Sequence, residues 1–95
     1  MVLGEHPSVV EVAVVAVPSP MGEDDARCSV VLERGAELTA PALVEWARER
    51  LAPFKVPRYF EFVDELPRTA AKAEIDRGAL ANAGLEDCYD READR

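Results

Sequence analysis

The apolar positions of this chain change period several times, and each change marks an element. His6 to Pro18, "HPSVVEVAVVAVP", carries Val10, Val12 and Val14 on one face and Val9, Ala13, Val15 and Val17 on the other. Apolar residues on both faces predict a central strand covered on both sides. "PSPMGEDD" (Pro18 to Asp25) is a polar loop rich in turn residues. "ARCSVVLERG" (Ala26 to Gly35) then alternates. Ala26, Cys28, Val30 and Leu32 are expected to face inward, with Arg27, Ser29 and Glu33 outward. That predicts a half-buried strand antiparallel to the first, with Cys28 as a small core residue.

A 3.6-residue period replaces alternation in Leu38 to Ala52. Leu43, Ala47 and Leu51 recur at four-residue spacing with Val44 beside them, which predicts one helix with an apolar stripe. Thr39 is a good N-cap and Pro41 is tolerated in the first turn. Trp46 falls on the edge of the stripe and is expected to be partial core, and Pro53 to end the helix. Pro57 to Pro67 contains a third strand, with Phe60 and Phe62 on one face. Glu74 to Gly84 reads as a short helix with Ile75, Ala79 and Leu80 on its apolar side and Gly84 as a C-cap. The order predicts an α+β domain: a three-stranded sheet with helices packed on it, with room for a short helix before the first strand.

Composition narrows the function classes. Ninety-five residues suit one domain, with little space for a large cavity of its own. A net charge of −8 argues against nucleic-acid or anionic-membrane partners. The charge is uneven, however. Arg48, Arg50, Lys55 and Arg58 stand against Glu49 in "RERLAPFKVPR", whereas residues 86–95 form a polar acidic tail. Two cysteines make no disulfide framework, and with His6 the sole histidine no cluster has metal-ligand spacing. No signal-peptide pattern opens the chain and no apolar run reaches the length of a membrane span, so a cytoplasmic setting is expected. One stretch remains unexplained by packing: "LPRTAAKAEIDR" (Leu66 to Arg77) sets a lone lysine, Lys72, among alanines.

These residues resemble a known family. "HPSVVEVAVVAVPSPMGED" followed by "LAPFKVPRYFEFVDELPRT" looks like the small C-terminal domain of adenylate-forming enzymes, which include acyl-CoA synthetases, luciferases and the adenylation domains of peptide synthetases. The resemblance covers about residues 3 to 84, leaving 1–85 as the domain and 86–95 as its tail. The ending "GLEDCYDREA" is similar to CoA ligases of the crotonobetaine/carnitine type.

The resemblance implies a lid. In such enzymes a carboxylate attacks ATP to give an acyl-adenylate, and a thiol, usually of CoA, displaces AMP. A large N-terminal domain binds ATP and the acid, while the small domain brings a lysine from a Pro-Arg-Thr-x-x-Gly-Lys loop. That lysine is matched here by Lys72, the lysine of the loop, as the catalytic residue. Counted forward from Pro67 the family position is Ala73, and counted back from "IDR" it is Glu74. By the same resemblance Phe54, Lys55 and Arg58 would hold CoA, the aromatic near the nucleotide and the bases near phosphates. ATP and CoA would be co-substrates of the complete enzyme, and a large ATP-binding domain, in cis or in trans, the partner; neither it nor the interdomain hinge is found in this sequence, so no activity is expected alone. A non-catalytic module that keeps the fold and binds CoA or a protein, and a small dimerising regulatory domain, stay open as alternatives.

Overall fold

A computed structural model describes residues 2–18, 24–52, 55–86 and 88–91. A 3-10 helix, Val2–Glu5, precedes β1 (Val9–Pro18), β2 (Asp24–Leu32), α1 (Ala40–Arg48), β3 (Tyr59–Phe62), α2 (Arg77–Asn82) and β4 (Tyr89–Asp90). The sheet is four-stranded in the order β1-β2-β3-β4. β1 and β2 are antiparallel as expected, with Val12 opposite Val30 and Val14 opposite Cys28. β3 runs parallel to β2, so the chain between them must cross over, and α1 makes that crossover. The fourth strand comes from the stretch expected as a polar tail: Tyr89 and Asp90 pair antiparallel with Phe60 and Tyr59.

Helices cover both faces of the sheet. Leu43, Val44 and Ala47 of α1 pack with Leu3, Cys28, Val30, Val56 and Phe60 on one face. Leu80 of α2 packs with Ala13, Val15, Val17, Tyr59 and Leu66 on the other. Phe60 is 1 % exposed, and burying a side chain of that size stabilises the fold by about 1.5–3 kcal/mol.

Three local expectations are corrected. β1 is an edge strand, not a central one: apolar residues on both faces demand two covering layers, but say nothing of lateral neighbours. A bulge between Val9 and Glu11 also shifts its register, so Val9 joins the α1-side core while Val10 is 57 % exposed. α1 is shorter than its apolar stripe. Thr39 caps its start by accepting from the Ala42 N–H (3.3 Å), but the helix ends at Arg48, and the Arg50 and Leu51 N–H groups both turn back to the Ala47 carbonyl. Leu51 stays half-buried against the core beyond the helix. Trp46 is the partial core residue expected, with His6 edge-on at 5.0 Å and the Arg50 guanidinium 4.0 Å over its ring. Pro53 lies outside the described residues.

The third correction concerns β2. Arg27 and Ser29 do not face solvent; they are 4 % and 0 % exposed. β2 has a strand on either side and a helix layer over each face, so its polar face is as buried as its apolar one. Only polar complementarity makes that tolerable. Arg27 Nε donates to Glu61 Oε2 of β3 (2.7 Å), and the Ser29 hydroxyl donates to the same oxygen (2.5 Å). Arg27 Nη1 reaches the Ala83 and Gly84 carbonyls just past α2 (2.8 and 3.1 Å). This also explains why Gly84 is not the expected left-handed cap. Ala83 caps the helix in an extended conformation, and the guanidinium satisfies the carbonyls that follow.

Candidate functional site

The lysine loop grows from two elements that hold its stem. Arg68 and Ile75 form an isolated antiparallel bridge. The Thr69 N–H donates to the Glu74 carbonyl (2.8 Å), and the Asp76 N–H to the Pro67 carbonyl (2.8 Å). The Ala73 N–H turns back onto the Thr69 carbonyl (3.0 Å). Through their side chains, Arg68 pairs with Glu11 of β1, and Arg77 of α2 donates to the Val14 carbonyl (3.0 Å). Asp76 caps α2 by accepting from the Ala79 N–H (3.0 Å). The loop is therefore closed on itself and fastened to β1 at both ends.

Within it Ala70, Ala71, Lys72, Ala73 and Glu74 are all exposed. The small neighbours leave the Lys72 side chain standing clear of bulk, which suits a group that must enter another surface. Ala73 has φ 54°, in the left-handed region that glycine occupies most readily. The residue one place past Lys72, where forward counting from Pro67 sets the family lysine, thus carries the loop's conformational irregularity.

The basic stretch sits elsewhere. Lys55 and Arg58 line one groove of about 370 Å³ with Asp25, Val56 and Arg91; Lys72 is not among its lining residues. Arg58 does not present an open guanidinium. Nε and Nη2 donate to the two oxygens of Asp90 (3.0 and 3.1 Å), and Nη1 to Asp25 (3.1 Å). The hydrogen bonds to Asp90, ahead of that to Asp25, push its pKa further above the ordinary arginine value. Its guanidinium also lies 5.1 Å from the centre of the Tyr59 ring. Arg91 borders the groove with its Nε on the Pro57 carbonyl (2.9 Å) and Nη2 on that of Val56 (3.2 Å). Lys55 is exposed. Phe54 lies outside the described residues.

Two other titratable groups are explained by packing. Burial pushes the Cys28 thiol up to about 12, with the Glu61 charge adding to it, which keeps it protonated in the core where alternation placed it. Burial works against ionised Glu61, but the hydrogen bonds from Arg27 and Ser29 outweigh it and hold the carboxyl below its ordinary value. The hydrogen bond to Glu61 likewise raises Arg27. The sequence reading missed both Glu61 and Asp90. Glu61 had a usable signal, a lone acid between Phe60 and Phe62 on the face opposite theirs. Asp90 had none, because nothing in a polar tail says that it returns to a sheet edge.

Among the described residues no helix is long and apolar enough to cross a membrane. The chain matches the AMP-binding enzyme C-terminal domain over residues 1–72 and belongs to that family. It is 43 % identical over 78 residues to a long-chain-fatty-acid–CoA ligase of Bacillus subtilis, covering 82 % of this chain and 14 % of the relative. It is 40 % identical over 75 residues to the human mitochondrial malonate–CoA ligase ACSF3, covering 79 % and 13 %. Among solved structures, ATP-bound MatB from Rhodopseudomonas palustris superposes with a TM-score of 0.78 at 30 % identity, over 84 % of this chain and 16 % of that one. A double mutant of o-succinylbenzoate CoA synthetase from Bacillus subtilis, bound to a product analogue, gives 0.75 at 30 % identity, over 93 % and 18 %. The chain thus spans about one seventh of the curated relatives it matches. The α+β lid-type fold expected from the sequence is the fold found, with one strand more.

Proposed function

We propose that this chain is the lid of an ATP-dependent acid–CoA ligase, working against a large ATP-binding domain supplied in cis or in trans, in a cytoplasmic setting. The observation that carries this reading is Lys72, exposed on a closed loop of small residues whose stem is anchored to β1. Negative charge develops on the α-phosphate and carboxylate oxygens as the acyl-adenylate forms. An ammonium delivered into a site closed off from water stabilises that charge far more than it would in solution. ATP and CoA are the co-substrates of the assembled enzyme. Lys55 and Arg58, with Phe54 before them, offer a second surface for CoA once the acid is activated, because guanidinium and ammonium groups match phosphate. The acid itself belongs to the pocket of the large domain.

The test is reconstitution with a CoA-ligase large domain lacking its own lid, read by ATP–pyrophosphate exchange and thioester formation. Lys72→Ala lowers exchange by about 10²–10³-fold, the scale of losing one charge-stabilising donor. Unchanged exchange would reject Lys72. Because Lys72 is exposed, the thermal midpoint of the variant stays where it was.

A second reading, the non-catalytic module, draws on one observation: Ala73, not Lys72, stands at the forward-counted position, and a lysine displaced by about 1 Å can lose a hundredfold in rate. Reconstitution that yields no exchange while the chain still binds CoA would favour it.

A further inference from the structure

Arg58, which lines the groove with Lys55, already holds an anion at its fork, and the anion belongs to the chain. Asp90 presents both carboxylate oxygens to Nε and Nη2 of Arg58, the two-pronged geometry in which a guanidinium takes a phosphate. We propose that β4 is a built-in competitor for this groove, with the Asp90 carboxylate standing where a phosphate of CoA would dock, so that binding requires the carboxylate to leave the Arg58 fork. This rests on the reading of the groove as a CoA surface.

Three observations support a removable competitor rather than a fixed brace. β4 is two residues long and, among the described residues, its ladder joins only Tyr59 with Asp90 and Phe60 with Tyr89 at the sheet edge, so few backbone bonds hold it. The Arg58 and Asp90 side chains are 22 % and 23 % exposed, so water and salt reach the pair and weaken it. The strap also brings its own cation: the Arg91 N–H donates to the Arg58 carbonyl (3.0 Å), and its side chain lies on the carbonyls of Val56 and Pro57 at the groove wall. Moving the Asp90 side chain while the backbone stays paired releases Nε and Nη2 of Arg58 from the carboxylate, on a groove that Lys55 and Arg91 also line. A phosphate monoester carries more charge than a carboxylate and three acceptor oxygens, so the exchanged contact at the Arg58 fork favours it. Asp25, on one nitrogen of Arg58, is the lesser competitor.

The experiment titrates CoA into the 95-residue chain, followed by NMR of the arginine side-chain Nε–H groups. Asp90→Asn, which keeps the shape and removes the charge, tightens CoA binding by about 3–5-fold, the upper part of the range for removing one partly exposed competing charge. Asp25→Asn tightens it by about 2-fold. Arg58→Ala abolishes the gain from both. Should Asp90→Asn free the strap, seen as faster exchange of the Tyr89 amide, Asp25→Asn decides, since it leaves β4 untouched. Binding that is measurable and equal in the unsubstituted chain and both variants overturns the competitor and leaves the CoA surface standing. No binding by any of them overturns the CoA surface itself, and the competitor with it.

Discussion

Two arginines on neighbouring strands show how differently one residue type can be used. Arg27 is sealed under α2 and shares Glu61 with Ser29; Arg58, just before the residue opposite Arg27, is 22 % exposed and shared between Asp25 and Asp90. Both form charge-assisted hydrogen bonds to carboxylates, at 2.7 Å for Arg27 and 3.0 to 3.1 Å for Arg58. What separates them is water. Around Arg27 a missing partner would leave a charge with no solvent to turn to, so the network acts all-or-none and holds the strand pair and the end of α2 in one arrangement. Around Arg58 solvent can replace any partner at small cost, so the contacts are exchangeable. The first arrangement suits a fixed frame and the second suits a surface that trades one anion for another.

The comparison is broken most severely at Arg27. Arg27→Met strands Glu61 and the Ala83 and Gly84 carbonyls, and is expected to cost about 3–5 kcal/mol in denaturant unfolding, a large share of a domain's total stability. Adding Glu61→Leu recovers much of it, since an apolar pair of similar volume needs no counter-charge. A double variant as unstable as the single one would show that the guanidinium matters mainly for the α2 carbonyls.

Acid divides the two clusters less sharply. Glu61 has a folded pKa below its ordinary value, so its contribution is fully present above the unfolded carboxylate pKa of about 4.3 and is lost as pH falls through the lower folded value. Stability therefore drops on acidification through the range below about pH 4, and Glu61→Gln flattens that part of the profile while lowering the plateau. An unchanged slope would remove Glu61 from the acid response.

Salt gives the smallest effect and sharpens the contrast from the other side. At about 1 M ionic strength, where screening acts within roughly 3 Å, the stability difference between the unsubstituted chain and Asp25→Asn shrinks toward zero, while the penalty of Arg27→Met persists. Equal salt sensitivity at both arginines would mean that water reaches Arg27 too.

The lysine loop and the groove were legible to different degrees. Lys72 could be singled out because its surroundings are local: small residues, a proline and an arginine before it, and a helix cap at Asp76. Lys55 and Arg58 were found as charges, but Arg58's partners come from β4, 32 residues on, and from the start of β2, 33 residues back. No local pattern joins those positions.

Taken alone, the sequence determined the periods: which stretches extend, which coil, and that β1 needs cover on both faces, because strand and helix repeats are written in neighbouring residues. It also determined Thr39 as a cap and Cys28 as core. Tertiary structure alone decided the lateral order of strands, which put β1 at an edge and β2 inside. It decided that Arg27 and Ser29 are buried rather than solvated, and that an acidic tail segment closes on Arg58. Each of these depends on pairing between residues far apart in the chain, and alternation along one strand is the same whether the face opposite holds water or a carboxylate.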